Sequence, residues 1–444
     1  MLIVAWLGSG CHTASPLLGR DAGARFDRRT DVDLSPNDGD APCLPTPPQQ
    51  PLRPLSGELY YEQIGLGGIA LGEAAVAVGP NGDALLVDTG NTSHAATVSR
   101  RWIALTAAMA PNAPNHHVLL THYHADHVDA LAKIIDGIGA RPRLIWRGAV
   151  DLSAVKAGTF ETMCAAAKRL PHASLCLARA AALDCSATVR SQSCPGLGWG
   201  NLDVEGDSGP SYLSLGKARL DIIAVNGTIG SHRFEVDVSP FGTELNDENG
   251  RSLVALLRLG DFRLLISGDL TGGGKGTPNV ETFLLSHLPS DVVGAVGVDV
   301  LHLGHHARET SNNQQWVERM LPADGYSRNA IVGASTGHIG SPYASVLDRV
   351  STAGATPRLG EGRIWTTTVA PLGATHRDLV DARLGSIRIR TTLGGRAYFI
   401  QAIGADERVL ASETYASVAS KLANCPRPSS QRPARCNVSD CQAP

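Results

Sequence analysis

The sequence predicts an α+β fold of four layers, in which two β-sheets pack together and helices cover both outer faces. Two observations support this prediction. Strand-like segments occur in two runs, at about 73–121 and 220–267, and helical segments follow each run. Apolar residues form 43% of the 444 residues, which is enough for a large core. The formal net charge of −3 shows no basic bias, so tight nonspecific DNA binding is not indicated.

The first run alternates strands with helices and contains a histidine-rich segment. The turn formers Gly79-Pro80-Asn81-Gly82 separate its first two strands. The elements expected from the apolar periodicity are, in order, strands at Glu73–Val78 and Ala84–Asp88, a helix at His94–Met109, a strand at His117–Thr121 and a helix at Asp126–Ile138.

The second run begins with strands and then alternates. Gly260-Asp261 predicts a hairpin turn between two of the strands. Strands are expected at Leu220–Val225, Ser252–Leu259, Phe262–Ser267, Val298–Leu303, Ala330–Ala334, 363–369, 385–392 and 396–402, with helices at 279–288, 312–321 and Pro342–Val350.

These elements predict one large domain with extensions at both ends. The domain is expected over residues 57–403, with an inserted subdomain at 151–210 that carries four of the nine cysteines. Residues 12–56 are rich in proline and lack periodicity, which predicts a flexible linker. Residues 404–444 are expected to form a C-terminal extension that ends in a polar, cysteine-containing tail.

The N-terminus indicates export. Residues 1–11 are apolar and end in Leu7-Gly8-Ser9-Gly10-Cys11, which resembles a bacterial lipoprotein signal whose cysteine becomes acylated. The alternative is a plain frayed terminus. No apolar run reaches the roughly 18 residues that span a bilayer, so no transmembrane helix is expected and any membrane anchor would be a lipid on Cys11. The expected location is the periplasm or the cell surface.

The cysteines agree with an oxidising compartment. Without Cys11, eight cysteines remain, of which four lie at 164–194, three lie in the C-terminal tail and the last is Cys43. Disulfide bonds that staple these irregular segments are expected. A structural zinc site is the weaker alternative, because the gaps between the clustered cysteines exceed the two to four residues of zinc knuckles.

The chemistry is expected in the segment Thr121-His122-Tyr123-His124-Ala125-Asp126-His127. His122 and His124 alternate at a strand end, so both side chains can chelate one ion. Asp126 and His127 open the next helix and can reach a second ion. Imidazole and carboxylate ligands favour Zn, with Mn or Fe as alternatives, and core packing is a poor explanation for such a cluster. The cofactor expected is therefore a pair of divalent metal ions.

The cluster resembles the His-x-His-x-Asp-His signature of the metallo-β-lactamase superfamily, whose fold is a four-layer αββα sandwich. Leu86-Val87-Asp88-Thr89-Gly90 is similar to the first motif of that family, which implies that Asp88 orients a metal ligand. Ile266-Ser267-Gly268-Asp269 is similar to the strand-end motif whose carboxylate bridges the two metals, and this implies the bridging role for Asp269.

Residues 298–342 most resemble the hydrolase domain of the DNA-uptake competence protein ComEC. That group has a His-His-Gly-Ser segment followed by Thr-Ser, where this chain has His305-His306-Ala307-Arg308 and then Thr310-Ser311. The later Gly337-His338-Ile339-Gly340-Ser341-Pro342 is similar to an interrupted Gly-His-Pro. The resemblance covers about residues 60–400, apart from the insertion at 151–210. It implies that one histidine of the pair is a ligand, preferably His305, while His306 contacts substrate or protonates a leaving group.

One ligand of the family pattern is not evident. Many members place a further histidine between the first cluster and the Gly-Asp strand, and His232 is the best-placed candidate here. No recognisable motif surrounds it, so occupancy of the first metal site stays open.

These features predict a metal-dependent hydrolase that activates water at a dinuclear site. The resemblance implies phosphodiesterase or nuclease-like activity outside the cytoplasm, on an anionic phosphodiester. Asp126 would accept a proton and Asp269 would bridge the ions, while Arg308 and Thr310 would bind a phosphate oxygen. Arg308 as a solvated loop charge is the competing interpretation. A small-molecule ester, lactone or β-lactam is an alternative substrate, and a non-catalytic binding lipoprotein is a third possibility. No specific protein partner is indicated.

Overall fold

Two mixed β-sheets organise the chain. The computed structural model describes residues 44–109, 115–138, 142–146, 157–170, 175–179, 182–184, 212–229, 232–233, 248–294, 296–335, 337–338, 340–353, 356–368 and 376–420. All of them belong to one compact unit, residues 41–444.

The strands of the described residues are short and mostly buried. In chain order they are β1 Tyr60–Gln63, β2 Ala75–Val78, β3 Ala84–Val87, β4 His116–Leu119, β5 Arg143–Trp146, β6 Leu175–Arg179, β7 Ala182–Asp184, β8 Tyr212–Leu215, β9 Ala218–Ala224, β10 Thr228–Ile229, β11 His232–Arg233, β12 Val254–Leu259, β13 Phe262–Ile266, β14 Val300–His302, β15 Asn329–Val332, β16 Thr352–Ala353, β17 Thr356–Pro357, β18 Ile364–Thr366, β19 Leu379–Asp381, β20 Ser386–Thr392, β21 Ala397–Ile403 and β22 Val409–Ala416.

The α-helices of the same residues lie between the strands. They are α1 Ala95–Ala108, α2 Ala125–Val128, α3 Leu131–Gly137, α4 Ala157–Ala167, α5 Val280–His287, α6 Ser290–Val293, α7 Gln314–Met320 and α8 Ala344–Ser351.

Each main sheet joins an antiparallel part to a parallel part. The first sheet has the order β22-β21-β20-β1-β2-β3-β4-β5-β6-β7, and its parallel pairs run from β3 to β6. The second has the order β19-β18-β15-β14-β13-β12-β9-β8, with parallel pairs from β13 to β19. Chain segments that follow parallel strands emerge at one edge of a sheet, where binding sites commonly form.

Alternation along the strands separates the layers. In β3, Leu85 and Val87 join a core that both sheets share, whereas Leu86 joins a second core with Trp102 of α1. A third core packs α5, α7 and α8, including Trp316, against the outer face of the second sheet. Because strand side chains alternate between faces, the sheets bury one face on each other and the other under helices. The predicted four-layer α+β sandwich is confirmed.

The predicted helix at Asp126–Ile138 is two helices. The chain turns at Asp129 and Ala130, where Thr92 Oγ1 donates to the Asp129 carbonyl at 3.0 Å and the Ala130 amide donates to the Gly90 carbonyl at 3.0 Å. These contacts hold the loop after β3 against the histidine segment. Helical periodicity does not reveal such a break, because both halves keep their apolar residues on the same side.

The expected domain boundaries differ from the structure at three places. β22, which was predicted to belong to a C-terminal extension from residue 404, pairs with β21 along seven residue pairs. Residues 44–56, predicted as part of the flexible linker, pack on the domain through buried Leu52, whose amide donates to Gln401 Oε1 at 2.9 Å. Strands β6 and β7, predicted as part of a separate insertion, extend the first sheet from β5. Strand pairing decides the first and third cases, and packing on β21 decides the second.

Several predictions fall on residues outside the described ranges. These are the lipoprotein signal, Cys11, the rest of the linker and the tail from 421 onward. Cys164 is buried and disulfide-bonded, but no other cysteine has a described side chain, so the pairing stays a prediction. Among the described residues, no helix is long and apolar enough to cross a membrane.

Candidate metal centre

The candidate centre lies where five loops leave the parallel parts of the two sheets. The loops after β3 and β4 carry Asp88 and the histidine segment. The loops after β13, β14 and β15 carry Asp269, the His305-His306 pair and His338. Residues far apart in the chain therefore meet at facing edges of the two sheets.

Asp88 orients the imidazole ring of His127. It lies at the end of β3 with a φ of 55°, and its carboxylate accepts from the Thr121 amide at 2.8 Å and the Thr121 hydroxyl at 2.6 Å. The same carboxylate lies 2.8 Å from His127 Nδ1. Since a carboxylate only accepts, His127 holds its proton at Nδ1 and presents a lone pair at Nε2. The orienting role that the resemblance implies for Asp88 agrees with this geometry.

Asp269 lies at the centre of the cluster. A turn at Gly268, with a φ of 51°, and the Ser252 hydroxyl, 3.1 Å from the Asp269 amide, position its carboxylate. That carboxylate lies 3.5–4.0 Å from the Nε2 atoms of four histidines, which are His122, His127, His305 and His306. Asp126 lies on the other side of the cluster, 3.5 Å from His306 Nε2 and 3.9 Å from His127 Nε2.

The donor atoms fit divalent metal ions. Three overlapping groups place one ligand atom of each member within 4.8 Å of the others: Glu73, His127, Asp269 and His306; His122, His124 and Asp269; and Asp126, His306 and His338. Separations of 3.5–4.0 Å exceed hydrogen-bond length, whereas ligands about 2.1 Å from one tetrahedral ion lie about 3.4 Å apart. Buried atoms that lack a hydrogen-bond partner among the described residues include His124 Nε2, His127 Nε2, His306 Nε2 and Asp269 Oδ1. An isolated buried polar atom is costly, and two metal ions that share Asp269 would satisfy all four atoms.

The charges of the cluster keep its carboxylates ionised. Burial alone would raise the pKa of Asp269, but His127 and His305 outweigh it and hold this pKa well below its ordinary value. Burial is opposed in the same way at Asp126, where the neighbouring His127 and His306 lower the pKa. Both groups are therefore anionic at neutral pH, the form in which carboxylates bind metals.

The hydrogen bonds of the imidazoles distinguish ligands from other histidines. His306 Nδ1 lies 2.7 Å from the Gly333 carbonyl, so the proton is at Nδ1 and Nε2 is free to bind a metal. His338 is the reverse case, because its Nδ1 accepts from the Ser335 amide at 2.9 Å. Its proton therefore lies at Nε2, which is 3.6 Å from Asp126 and beyond hydrogen-bond length.

The histidine pair does not follow the sequence-based preference. His305 was preferred as the ligand and only one of the pair was expected to face the centre, yet both lie within 4.0 Å of Asp269. The compact groups of ligand atoms contain His306 and not His305, and the side chain of His306 is 1% exposed against 13% for His305. Residues 305–307 share a φ of 54–58°, an uncommon conformation that turns both rings toward the cluster.

His232 is not part of the centre. It is exposed on the β10–β11 hairpin, and its ring lies 4.1 Å from that of His287 in α5. It belongs to none of the three groups of ligand atoms, because the hairpin packs on α5. The described residues supply His122, His124 and Asp269 for the first metal site.

Three residues near the centre were missing from the predicted site. Glu73 is buried, with its carboxylate 3.0 Å from His306 Nδ1 and in an ion pair with His302. His338 lies beyond β15. A charged residue at the start of an apolar strand was the available signal for Glu73. His302 and His338 stood inside motifs that were recognised, but nothing local indicated where their rings point.

A cavity of about 360 Å³ opens onto the centre. Asp126, Asp269, His305 and His306 line it, together with Arg308, whose Nε atom is buried without a hydrogen-bond partner among the described residues. Thr159 of α4 also lines the cavity, so the segment predicted as an insertion contributes to the wall.

Comparison with known proteins agrees with the fold. A family model described as the metallo-beta-lactamase superfamily matches residues 69–163. No curated protein matches the chain.

Similar solved structures include three proteins of low identity. A Cronobacter sakazakii metallo-beta-lactamase with a HARLDQ motif is 15% identical with a TM-score of 0.27, over 57% of this chain and 78% of that one. CmlA, a diiron beta-hydroxylase from Streptomyces venezuelae, is 13% identical with a TM-score of 0.32, over 69% of this chain and 49% of that one. MIM-1, a metallo-beta-lactamase from Novosphingobium pentaromativorans, is 13% identical with a TM-score of 0.26, over 65% and 84%. The chain thus spans about half of CmlA, and likenesses this weak say nothing about activity.

Proposed function

Since this chain carries a metallo-beta-lactamase superfamily domain, we propose that it is a hydrolase with a dinuclear metal centre. The observation that carries the proposal is the position of Asp269. Its carboxylate faces His122 of one group of ligand atoms and His127 of another. His122, His124 and Asp269 would hold one ion, and Asp126, His127, Asp269 and His306 the other. When bound, two divalent ions lower the pKa of water and neutralise negative charge on the reacting group. Zinc suits this nitrogen and oxygen donor set, with Mn or Fe as alternatives.

The residues of the chain would bind and orient the substrate. Arg308 extends into the cavity with donors to spare and suits a negatively charged substrate group. His305 contacts the same space, and Thr310 Oγ1, 2.6 Å from His305 Nδ1, steadies its ring. Asp126 is the more exposed of the two central carboxylates, 18% against 2% for Asp269, and is placed to accept a proton, with His338 holding a proton beside it.

A phosphodiester of small-molecule size is the substrate class that we propose. Among the described residues, Arg308 is the arginine that lines the cavity at the metal centre, and its unpartnered Nε favours an anion. The resemblance of residues 298–342 to the ComEC hydrolase domain favours a phosphodiester. A cavity of about 360 Å³ lies near the small end of ligand sites. This size favours a small diester over a polymer, and it leaves small esters, lactones and β-lactams as the second candidate class.

Metal analysis and turnover test the proposal together. Purified protein should contain about two transition-metal ions and should hydrolyse bis-p-nitrophenyl phosphate. Asp269→Ala should abolish turnover, whereas Asp136→Ala, at a surface position that pairs with Arg169, should retain it. Folded protein that binds no metal would refute the dinuclear centre, and turnover of lactone or β-lactam reporters alone would refute the phosphodiester.

Export and lipid anchoring remain part of the proposal. They rest on the resemblance of residues 7–11 to a lipoprotein signal. Metabolic labelling with palmitate should mark the protein and should be lost in Cys11→Ala. Labelling that persists in this variant would refute the anchor.

A further inference from the structure

A second cavity, of about 730 Å³, lies apart from the metal centre. Helix α1, residues 51–54, the loop after β1 and the turn between β21 and β22 form its walls. It shares no lining residue with the cavity at the metal centre. No step of the proposed hydrolysis uses it.

Two arginines that donate hydrogen bonds to a buried glutamate form one wall of the cavity. Glu62 is 0% exposed, and it accepts from Arg101 Nε and Nη2 at 2.8 Å and from Arg388 Nε at 2.9 Å. Burial would raise the pKa of Glu62, but Arg388 and Arg101 outweigh it and lower this pKa. The Glu62 carboxylate therefore holds both guanidinium groups in place as a rigid pair.

The exposed carboxylate of Glu407 caps this pair. It lies 2.6 Å from Arg388 Nη2 and 3.2 Å from Arg101 Nη1, with a side chain that is 57% exposed. Glu407 lies in the turn between β21 and β22 with a φ of 61°, a backbone conformation that residues other than glycine rarely adopt. A strained, exposed residue thus supplies the anion that the arginine pair binds from the cavity side.

Two further arginines line the cavity without an anion. Arg53 and Arg100 are exposed, and within the described residues neither has a hydrogen bond or ion pair. Four arginines thus share the cavity with Glu62 and Glu407, which leaves an excess of positive charge. Apolar atoms of Leu384, exposed to 38%, lie along the same wall.

We propose that this cavity binds a small ligand through a phosphate group, with the apolar part of the ligand against Leu384. The planar forks of several arginines match the three terminal oxygens of a phosphate better than a single carboxylate. Glu407 would then be a built-in competitor that the phosphate displaces from Arg101 and Arg388. Free inorganic phosphate and the phosphate of an organic ester share this chemistry.

Calorimetric titration of the metal-loaded full chain tests the site. The probes are inorganic phosphate and hexyl phosphate, and tighter binding of hexyl phosphate would identify an ester as the natural source. Glu407→Gln should tighten binding by about threefold or more, because the competing charge is removed. Asp406→Asn, in the same turn and paired only with Arg408 among the described residues, makes the same change of charge and should not.

Removal of Arg53 and Arg100, the two arginines without an anion, should weaken phosphate binding instead of tightening it. Arg53→Ala with Arg100→Ala should weaken binding by roughly tenfold or more, since hydrogen bonds from charged donors are lost. The exposed Arg377→Ala should leave binding unchanged. Turnover of bis-p-nitrophenyl phosphate should persist in all of these variants, which separates this site from the metal centre. Phosphate affinity that is the same in wild type, Glu407→Gln and the double variant would assign the binding to the metal centre alone and overturn the proposal. Absence of phosphate binding would overturn it as well.

Discussion

Glu73 offers the sharpest test of the candidate centre, because it touches the cluster without belonging to the predicted ligand set. Its carboxylate lies 3.0 Å from His306 Nδ1 and forms an ion pair with His302. Glu73→Gln keeps the shape of the side chain and removes the charge. His306 Nδ1 would keep the Gly333 carbonyl as its acceptor, but the ring would lose the anion that raises its basicity.

The expected magnitude follows from the role of such partners. Removing a carboxylate that orients a metal-binding histidine typically weakens metal affinity by 10–100-fold, or about 1.4–2.7 kcal/mol. We expect this loss for the ion held by His127 and His306. Competition with a chromophoric chelator measures it, and the ion held by His122 and His124 should be retained.

A matched variant separates this effect from general destabilisation. Glu58→Gln removes another partly buried carboxylate. Glu58 lies away from the cluster and forms an ion pair with Arg390 at 3.0 Å. It should lower the melting temperature without changing metal affinity. Equal metal affinity in wild type and Glu73→Gln would show that Glu73 has no orienting role.

Four further predictions follow from other contacts. Asp88→Asn should weaken binding of the ion at His127 by roughly 10–100-fold, measured by chelator competition, since Asp88 accepts from Thr121 and His127 through both carboxylate oxygens and Asn has only one accepting oxygen. Gly268→Ala should destabilise the fold by about 1–3 kcal/mol in urea unfolding, because φ is 51° and the new Cβ would lie 2.8 Å from Thr121 Cβ; an unchanged midpoint would contradict this. Burial raises the pKa of Glu281 to about 8, so the folded state retains a proton that the unfolded state loses, and the free energy of unfolding should fall between about pH 4.5 and 8. Glu281→Gln, which mimics the protonated acid, should reduce that fall, and an unaltered pH dependence would count against the burial argument. Removal of metal by a chelator should lower the melting temperature, and added Zn should restore it.

The layers of the fold and the principal site were predictable from local pattern. The uninterrupted apolar segment Ala84–Val87 indicates a strand with two buried faces, and the spacing of His122, His124 and His127 predicts metal ligands. Asp269 was predicted from the similarity of Ile266-Ser267-Gly268-Asp269 to a family motif. Each of these signals lies within a few residues of the chain.

The features that the sequence did not predict depend on contacts between segments that are distant in the chain. β22 was placed in a C-terminal extension, and only its pairing with β21 shows that it belongs to the first sheet. Glu73 is an ordinary strand-start residue in the sequence, and only the approach of β14 places His302 and His306 against it. The cavity with Arg53 and Arg388 joins segments more than 300 residues apart.

The sequence by itself determined the family signature and the kinds of ligand, since spacing within one strand and one turn is a local property. Only the tertiary structure distinguishes His305 from His306 as the candidate ligand. Adjacent histidines are equivalent in a motif, but the Gly333 carbonyl accepts a hydrogen bond from His306 Nδ1 and so leaves His306 Nε2 available to a metal. That carbonyl follows β15, 27 residues away along the chain, so the choice belongs to the packing of the strands and not to the motif.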